Sequence, residues 1–258
     1  MTAPTIDVLG VRISVIDQDR AREILFNAVR RGRRGYVTVT GVHGVMEAQD
    51  DENFRAILNN ALLTTPDGMP MVWMGKLQGQ ASIARVYGPD LMLNLCEHSR
   101  TENFSHFFYG GAAGVADELA RQLGQRFPGL NIAATCSPPF RPLNTDELAE
   151  LQKRVEEARP DFFWVGLSTP KQERFMAEHL DLLPQTKIMI GVGAAFDLLT
   201  GRVKQAPPWM QRSGLEWLFR LSQEPRRLGK RYLINNPRFA IRAAAQLAKG
   251  VLQPPPSS

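Results

Sequence analysis

The sequence predicts an α/β protein with a doubly wound, mostly parallel sheet and a basic helical appendage at its C-terminus. Two observations predict the sheet: runs rich in Val, Ile and Phe alternate with helical stretches of about a dozen residues, and three of these runs end in glycine loops. A third observation predicts the appendage. Residues 201–258 contain eleven basic and two acidic residues, a net charge of +9, whereas residues 1–200 carry −4.

The strands and helices follow from local patterns taken in chain order. Strands are predicted where β-branched and aromatic residues cluster between turn residues, in 6–16 (a strand or a hairpin), 35–42, 62–67, 104–111, 130–140, 161–168 and 187–197. Helices are predicted where apolar residues recur every three or four positions, in 19–32, 44–61, 114–129, 144–160 and 170–183. We therefore expect an α/β body over residues 1–200, a basic helical appendage over 201–250 and a disordered tail over 251–258.

Composition narrows the class of protein. The chain has 258 residues, 43% of them hydrophobic and 22% charged, as in ordinary globular proteins. The N-terminus has no basic region leading into an apolar one, and no uncharged apolar run reaches the ~18 residues of a spanning helix. Cys96 and Cys136 have neither disulfide-framework nor zinc spacing, which is typical of a reduced cytoplasmic protein. We expect a soluble or peripheral protein of the cytoplasm.

Three strand–loop–helix junctions carry glycines where ligands bind in open α/β sheets. They are residues 109–114 with Gly110 and Gly111, residues 165–173, and residues 191–196 with Gly191 and Gly193. Glycine lets backbone amides approach a phosphate, and the N-terminus of the following helix favours anions. Each junction alone is also compatible with tight packing of a strand on a helix, and GVGAAF lacks the third glycine of a dinucleotide fingerprint. The three together favour a nucleotide site.

Asp67 is a lone acid in the uncharged, mostly apolar stretch LLTTPDGMPMVW. An Asp-Gly pair serves well in a turn. The other interpretation is a carboxylate held in a partly apolar cleft, where desolvation raises its pKa and suits it to act as a general base. Thr38 and Thr40 face one side of the preceding strand, either as β-branched filler or toward a ligand. His43 follows in the next loop, and we expect it to be a hydrogen-bonded structural histidine.

Further polar candidates lie near the other junctions. Lys171 and Gln172 begin the helix after Pro170, where each is either solvated or in reach of a ligand. Asp197 ends GVGAAFD, either as a helix cap or as an acceptor for a base or ribose. No metal site is predicted, because the DQD at 17–19 is typical of a helix N-cap and the four histidines show no ligand spacing.

The basic tail mixes apolar and aromatic residues with arginines at near-helical spacing. Arg227 and Arg231 are four apart and share a helix face. Three interpretations stay open: a solvated basic face, an amphipathic element on anionic lipid, or arginines that hold a diphosphate. Nucleic acid is not an expected partner, because no reading motif is present.

Several motifs together resemble one known family, the WecG/TagA/CpsF glycosyltransferases (glycosyltransferase family 26). They are VTVTGVHGVMEA, TTPDGMPMVW, RVYGPDL, FFYGGAAGVADELARQL, PDFFWVGLSTPKQERFM, the long block from GVGAAFD to GKRYL, and NNPRF. The resemblance covers about residues 6 to 242, and it implies a Rossmann-like body with a basic appendage that docks on membranes and completes the active site.

The same resemblance implies an activity and its partners. The expected enzyme is an inverting, metal-independent transferase without a cofactor. It would move a hexose-type sugar, such as N-acetylmannosamine, its uronic acid or glucose, from a UDP-sugar to a polyprenyl-diphosphate-linked acceptor in polysaccharide synthesis. It would sit peripherally on the anionic inner face of the cell membrane. Family members self-associate, which leaves a homo-oligomer open.

Site residues carry over by motif. The resemblance makes Asp67 the base and matches Thr38, Arg85 and Gln172 to the family's catalytic motifs. Thr40 stands where the family has asparagine, which puts the sugar contact there in doubt. Substrate contacts are expected from a further set of residues: Gly110, Gly111, Lys171, Gly191, Gly193, Asp197, Arg220, Arg227 and Arg231.

Two rival functions are open to the sequence. A dinucleotide-dependent oxidoreductase lacks its full fingerprint. A non-catalytic nucleotide- or lipid-binding relative of the same fold is compatible with the altered position at Thr40, although Asp67, Arg85 and Gln172 are all present.

Overall fold

The computed structural model describes residues 3–252. The predicted disordered tail therefore lies mostly outside the described residues, although its first two residues belong to the last helix. An antiparallel hairpin begins the chain, with β1 at Thr5–Val8 and β2 at Val11–Ser14. Leu9 and Gly10 both have positive φ, the backbone of a two-residue turn that matches the twist of a hairpin. The hairpin alternative for 6–16 is confirmed.

A six-stranded sheet forms the centre of the body. Its strands are β3 (Gly35–Thr40), β4 (Leu63–Pro66), β5 (Ser105–Gly110), β6 (Asn131–Cys136), β7 (Phe162–Gly166) and β8 (Ile188–Gly191). Their order across the sheet is β4-β3-β8-β7-β5-β6, and every neighbouring pair is parallel. The predicted parallel α/β sheet is confirmed.

Helices cover both faces of this sheet. Those of the body are α1 (Gln18–Arg30), α2 (Val42–Asp50), α3 (Glu52–Asn60), α4 (Met69–Leu77), α5 (Gly88–Glu102), α6 (Val115–Arg126), α7 (Thr145–Ala158), α8 (Lys171–His179) and α9 (Ala195–Leu199). Asp17 caps α1 by accepting from Arg20 N at 2.8 Å, which confirms the N-cap interpretation of DQD. The helix predicted over 44–61 is divided at Asp51, which ends α2 and caps α3.

The core follows from the two-residue period of the strands. Neighbouring aromatic residues on β5 and β7 point to opposite faces of the sheet. Phe108 and Trp164 pack in one buried cluster, whereas Phe107 and Phe163 pack in another with their ring centroids 4.8 Å apart. A third cluster joins the hairpin to α2, α3 and α4.

Between residue 200 and residue 252, the last one described, the chain forms three helices: α10 (Pro208–Arg212), α11 (Glu216–Gln223) and α12 (Pro225–Leu252). Phe239 and Ala243 of α12 are buried in the third cluster, against the hairpin and α2. Arg238 pairs with both oxygens of Asp50 at 2.8 and 2.9 Å. The C-terminal helices thus pack directly on the body, and their division from it at residue 200 stays a prediction. No helix in the described part of the chain has the length and apolar character needed to cross a membrane.

Candidate active site

A cavity of about 690 Å³ lies at the carboxyl ends of β4, β3, β8 and β7. The loops that follow these strands form its inner wall, and α4, α10, α11 and α12 contribute much of the remaining wall. This is the edge of an open α/β sheet at which ligands bind. Of the predicted site residues, the structure brings seven to this cavity: Asp67, Arg85, Gln172, Gly193, Arg220, Arg227 and Arg231.

Backbone geometry fixes Asp67 at the end of β4. Its N–H donates to the carbonyl of Thr40 at 3.0 Å, which continues the β3–β4 pairing by one residue. Gly68 then turns the chain into α4 with φ +86°, a conformation that L side chains rarely adopt. At Gly41 a Cβ would lie 2.8 Å from the Asp67 carbonyl, so glycine is required there for the two loops to approach.

The surroundings of Asp67 favour its protonated form. Burial raises the pKa of the Asp67 carboxyl from 3.8 to about 7, and the positive charge of Arg85 opposes this shift. The negative charge of Glu216 raises the pKa further, and Arg220 lowers it. A carboxyl that titrates near neutral pH is matched to general-base catalysis.

Arg85 ties the C-terminal helices to the body beside Asp67. Its guanidinium lies 4.0 Å from the ring centroid of Tyr87 and donates to Gln211 Oε1 at 3.0 Å. It also forms an ion pair with Glu216 in which both side chains are largely buried. Because Gln211 lies in α10 and Glu216 in α11, these contacts hold both helices over the cavity.

Three arginines converge on the cavity from α11 and α12. Burial lowers the pKa of Arg231 and the neighbouring Tyr232 opposes this shift, whereas the positive charges of Arg220 and Arg227 add smaller contributions that lower it. The Nε atoms of Arg220 and Arg231 are buried and have no hydrogen-bond partner within residues 3–252. Arg227 is more exposed and pairs with Glu224. Like charges with unused donors form a site for an anion.

Gln172 uses its side-chain amide to hold the loop after β8. Its Oε1 accepts from Gly193 N at 2.8 Å, and its Nε2 donates to Glu173 Oε1 at 3.0 Å. Gly191 packs behind it, where a Cβ would lie 2.8 Å from Met176 Cε. Gln172 therefore positions the glycine loop that lines the cavity.

The remaining predicted residues do not line the cavity. Thr38 and Thr40 are buried in β3, and Lys171 is exposed at the start of α8. Gly110 and Gly111 pack closely elsewhere: a Cβ would lie 2.6 Å from the Gly166 carbonyl or 2.8 Å from Val115 Cβ. Asp197 acts from outside the cavity, where its charge helps raise the pKa of Arg227 after the larger effect of Glu224. Substrate contacts by these residues stay predictions.

His43 lines the cavity between the body and α12. Its Nδ1 lies 3.3 Å from Asn235 Nδ2, so the expected hydrogen bond is confirmed, whereas a purely structural role stays a prediction because the ring lines the cavity. Burial, and then the positive charge of Arg231, lower the pKa of His43 to about 4. The ring is therefore neutral at neutral pH.

Sequence reasoning missed several residues that line the cavity, namely Trp73, Tyr87, Gln211, Glu216 and Asn235. One of them had a signal in the sequence. Glu216 and Glu224 are the only acids after residue 200, and each pairs with an arginine, Arg85 or Arg227. An isolated acid in a basic segment is a candidate for such a pair.

Known proteins match this chain over most of its length. Residues 6–252 match the family model described as Glycosyl transferase WecG/TagA/CpsF family. A protein of Bacillus spizizenii strain W23, named N-acetylglucosaminyldiphosphoundecaprenol N-acetyl-beta-D-mannosaminyltransferase, is 31% identical over 193 residues, which cover 75% of this chain and 72% of that protein. A protein of the same name from Bacillus subtilis strain 168 is 28% identical over 191 residues, which cover 74% and 72%.

Proposed function

This chain belongs to the WecG/TagA/CpsF family of glycosyltransferases, and on that premise we propose that it transfers a hexose-type sugar from a UDP-sugar to a lipid-diphosphate-linked acceptor. N-acetylmannosamine is the first sugar to test, because it is in the names of both relatives, as is a diphosphoundecaprenol-linked acceptor. One observation carries the proposal: Asp67, the pKa of which burial raises to about 7, shares a cavity with three arginines. Such a transfer serves the synthesis of a cell-surface polysaccharide.

Asp67 is the proposed general base. An acceptor hydroxyl attacks the anomeric carbon of the donor, the new C–O bond forms as the bond to UDP breaks, and Asp67 takes the proton of the hydroxyl. A positioned base contributes about 10²–10⁴-fold to such a step. Direct displacement of this kind inverts the anomeric configuration.

Arg220 and Arg231 are the proposed partners of the diphosphate. The leaving UDP gains negative charge as its bond to the sugar breaks, and donors already aimed at that charge stabilise the transition state. The Nε atoms of both arginines are buried and, within residues 3–252, unpaired, which supports this role. The positive charges of Arg220 and Arg231 also repel each other, and a bound anion would relieve this repulsion. Arginine suits a diphosphate because its planar fork makes paired hydrogen bonds to phosphate oxygens. With this charge supplied by the protein, we propose that transfer requires no metal ion.

The C-terminal helices also support association with an anionic membrane surface. Residues 201–258 carry nine net positive charges, and large apolar side chains are exposed on them, including Trp209 at 60% and Leu218 at 46%. Exposed apolar groups beside basic ones are typical of interfacial helices. An acceptor embedded in the membrane can be reached only by a protein that binds at the membrane surface. We place the protein at the inner face of the cell membrane, and its two free cysteines fit that reducing compartment.

Turnover in EDTA tests the proposal. Purified protein is supplied with UDP-N-acetylmannosamine, UDP-glucose or UDP-N-acetylglucosamine and with N-acetylglucosamine diphosphate on a lipid, and UDP release and product are followed. Transfer from one preferred donor, lost in Asp67→Asn, is the expected result. Turnover that appears only after Mn²⁺ is added would contradict the metal-independent proposal, and no transfer from any UDP-sugar would contradict the donor assignment.

A further inference from the structure

The cavity extends from the polar site into an uncharged part between α4 and α12. We call this part the apolar arm, and its walls are Trp73, Leu77, Phe239, Ala240, Ala244 and Leu247. None of the described residues that α4 contributes to the cavity is charged, and none that α12 contributes after Arg231 is charged. Catalysis at Asp67 and binding of UDP do not account for a surface of this character.

The apolar arm leads away from the site along two helices. α4 begins two residues after Asp67, and Leu77 lies about 12 Å along its axis at 1.5 Å per residue. On α12, Leu247 lies about 24 Å beyond Arg231 by the same rise. Asp67 and Arg231 therefore mark the polar end of the cavity.

Beyond the apolar arm, the hairpin joins α4 to α12 by hydrogen bonds. Gln78 follows α4 and Gln246 lies in α12, and the Nε2 atoms of both donate to the carbonyl of Asp7 at 2.9 Å. Gln246 Oε1 also accepts from Leu9 N at 2.9 Å. These bonds bring the ends of the two helices to one point of β1, so the two walls of the apolar arm are held on the same hairpin.

Four of the six walls of the groove are apolar yet exposed, whereas Phe239 is buried at its base. Trp73 is 45% exposed and Leu77 69%, and Ala240 and Ala244, four residues apart on one face of α12, are exposed as well. The two alanines leave room beside the larger side chains of α4. An exposed apolar groove that is continuous with a polar site marks the place of an amphipathic ligand.

We infer that the apolar arm binds the first isoprenoid units of the lipid-linked acceptor. The inference rests on the proposed function, since the acceptor named for both relatives joins a sugar, a diphosphate and a prenyl chain in that order. The cavity presents two surfaces that match this acceptor: the carboxyl of Asp67 for the sugar hydroxyl, and the apolar arm for the chain. The groove thus selects acceptors by their lipid and aligns the sugar with Asp67.

Filling the groove tests the inference. Ala240→Trp and Ala244→Trp place a large side chain in the apolar arm, and Ala245→Trp on the same helix is a matched control, because Ala245 is exposed and does not line the cavity. Acceptors are N-acetylglucosamine diphosphates with a methyl, geranyl or farnesyl group, assayed without vesicles or detergent. UDP binding by calorimetry and the thermal midpoint of each variant verify that the fold and the donor site are intact.

The wild-type protein is expected to show a kcat/KM that rises from the methyl to the farnesyl acceptor. In both groove variants, kcat/KM for the farnesyl acceptor should fall at least about tenfold, the equivalent of about two methylene groups no longer buried. With the methyl acceptor, kcat/KM of both groove variants should stay within about twofold of the wild-type value. The Ala245→Trp control should stay within the same range with every acceptor, a change well below the effect of two buried methylene groups.

Two kinds of failure are distinguishable. The inference would be overturned if the wild-type kcat/KM did not depend on chain length, or if kcat/KM of the groove variants fell equally for the methyl and farnesyl acceptors. Either result would leave the proposed transferase activity unaffected. Absence of transfer to all three acceptors would remove the proposed function and the inference together.

Discussion

Asp67→Asn is expected to raise the free energy of unfolding and to lower turnover in the same variant. Burial raises the pKa of the carboxyl from 3.8 to about 7, so ionising it in the folded protein costs at most about 4 kcal/mol. Because the folded pKa exceeds the unfolded one, the stabilisation from protonated Asp67 is complete below about pH 4 and is lost as the pH rises to about 7. Asparagine cannot ionise and does not carry this dependence.

Two assays follow from that difference. In urea denaturation, the advantage of Asp67→Asn over wild type should grow between pH 5 and pH 8, toward a limit of about 4 kcal/mol. In turnover assays, the activity of the wild type should fall about tenfold for each pH unit below pH 7. At pH 8, the turnover of the variant should be about 10²–10⁴-fold lower than that of the wild type. Asp181→Asn is the control, since the Asp181 side chain is 96% exposed. An unfolding advantage that does not change with pH, or a variant with near wild-type turnover, would refute the reasoning.

Other residues of the cavity give further predictions. Arg231→Ala should raise the Kd for UDP in EDTA about ten- to a hundredfold, the worth of a charged hydrogen bond, and calorimetry measures this. Arg227→Ala should weaken UDP binding less in the same titration, because Arg227 is already paired with Glu224; an equal or larger effect would contradict the assignment of the anion site. Gln172→Met leaves Gly193 N–H without its acceptor and should lower the free energy of unfolding by about 1–3 kcal/mol in urea. An unchanged urea midpoint would show that the Gly193 loop does not depend on this bond. His43→Gln should leave the acid limb of the pH–rate profile near pH 7, because the pKa of His43 is about 4; loss of that limb would assign it to His43 rather than to Asp67.

The sheet was predictable because its signals are local. Strands such as β5 and β7 are short aromatic runs between turn residues, and each is followed by a helix with a clear apolar face. The prediction missed α4 and α5, although Leu91, Met92, Leu95 and Cys96 of α5 recur at helical spacing. α4, MPMVWMGKL, is apolar nearly all round and has no clear 3.6-residue period. Its character is explained by its position, between the third core cluster and the cavity.

The site was predictable only in part, since several of its contacts join distant residues. Asp67 could be singled out because a lone acid in an apolar stretch is a local anomaly. The pair between Arg85 and Glu216 spans 131 positions, and nothing near either residue specifies its partner. The family resemblance singled out Arg220, Arg227 and Arg231, but nothing in their local sequence separates Arg220 and Arg231 from the other arginines of the tail. Only the packing of α11 and α12 over the sheet distinguishes them, by burying their Nε atoms at the cavity.

The stereochemistry of one turnover tests the central claim most directly. Purified protein is given UDP-α-N-acetylmannosamine and an N-acetylglucosamine diphosphate lipid in EDTA, and the anomeric configuration of the product is read by NMR. Direct displacement with Asp67 as base and arginines on the diphosphate predicts a β-linked product formed without metal. An α-linked product, or transfer that requires a divalent cation, would contradict this account.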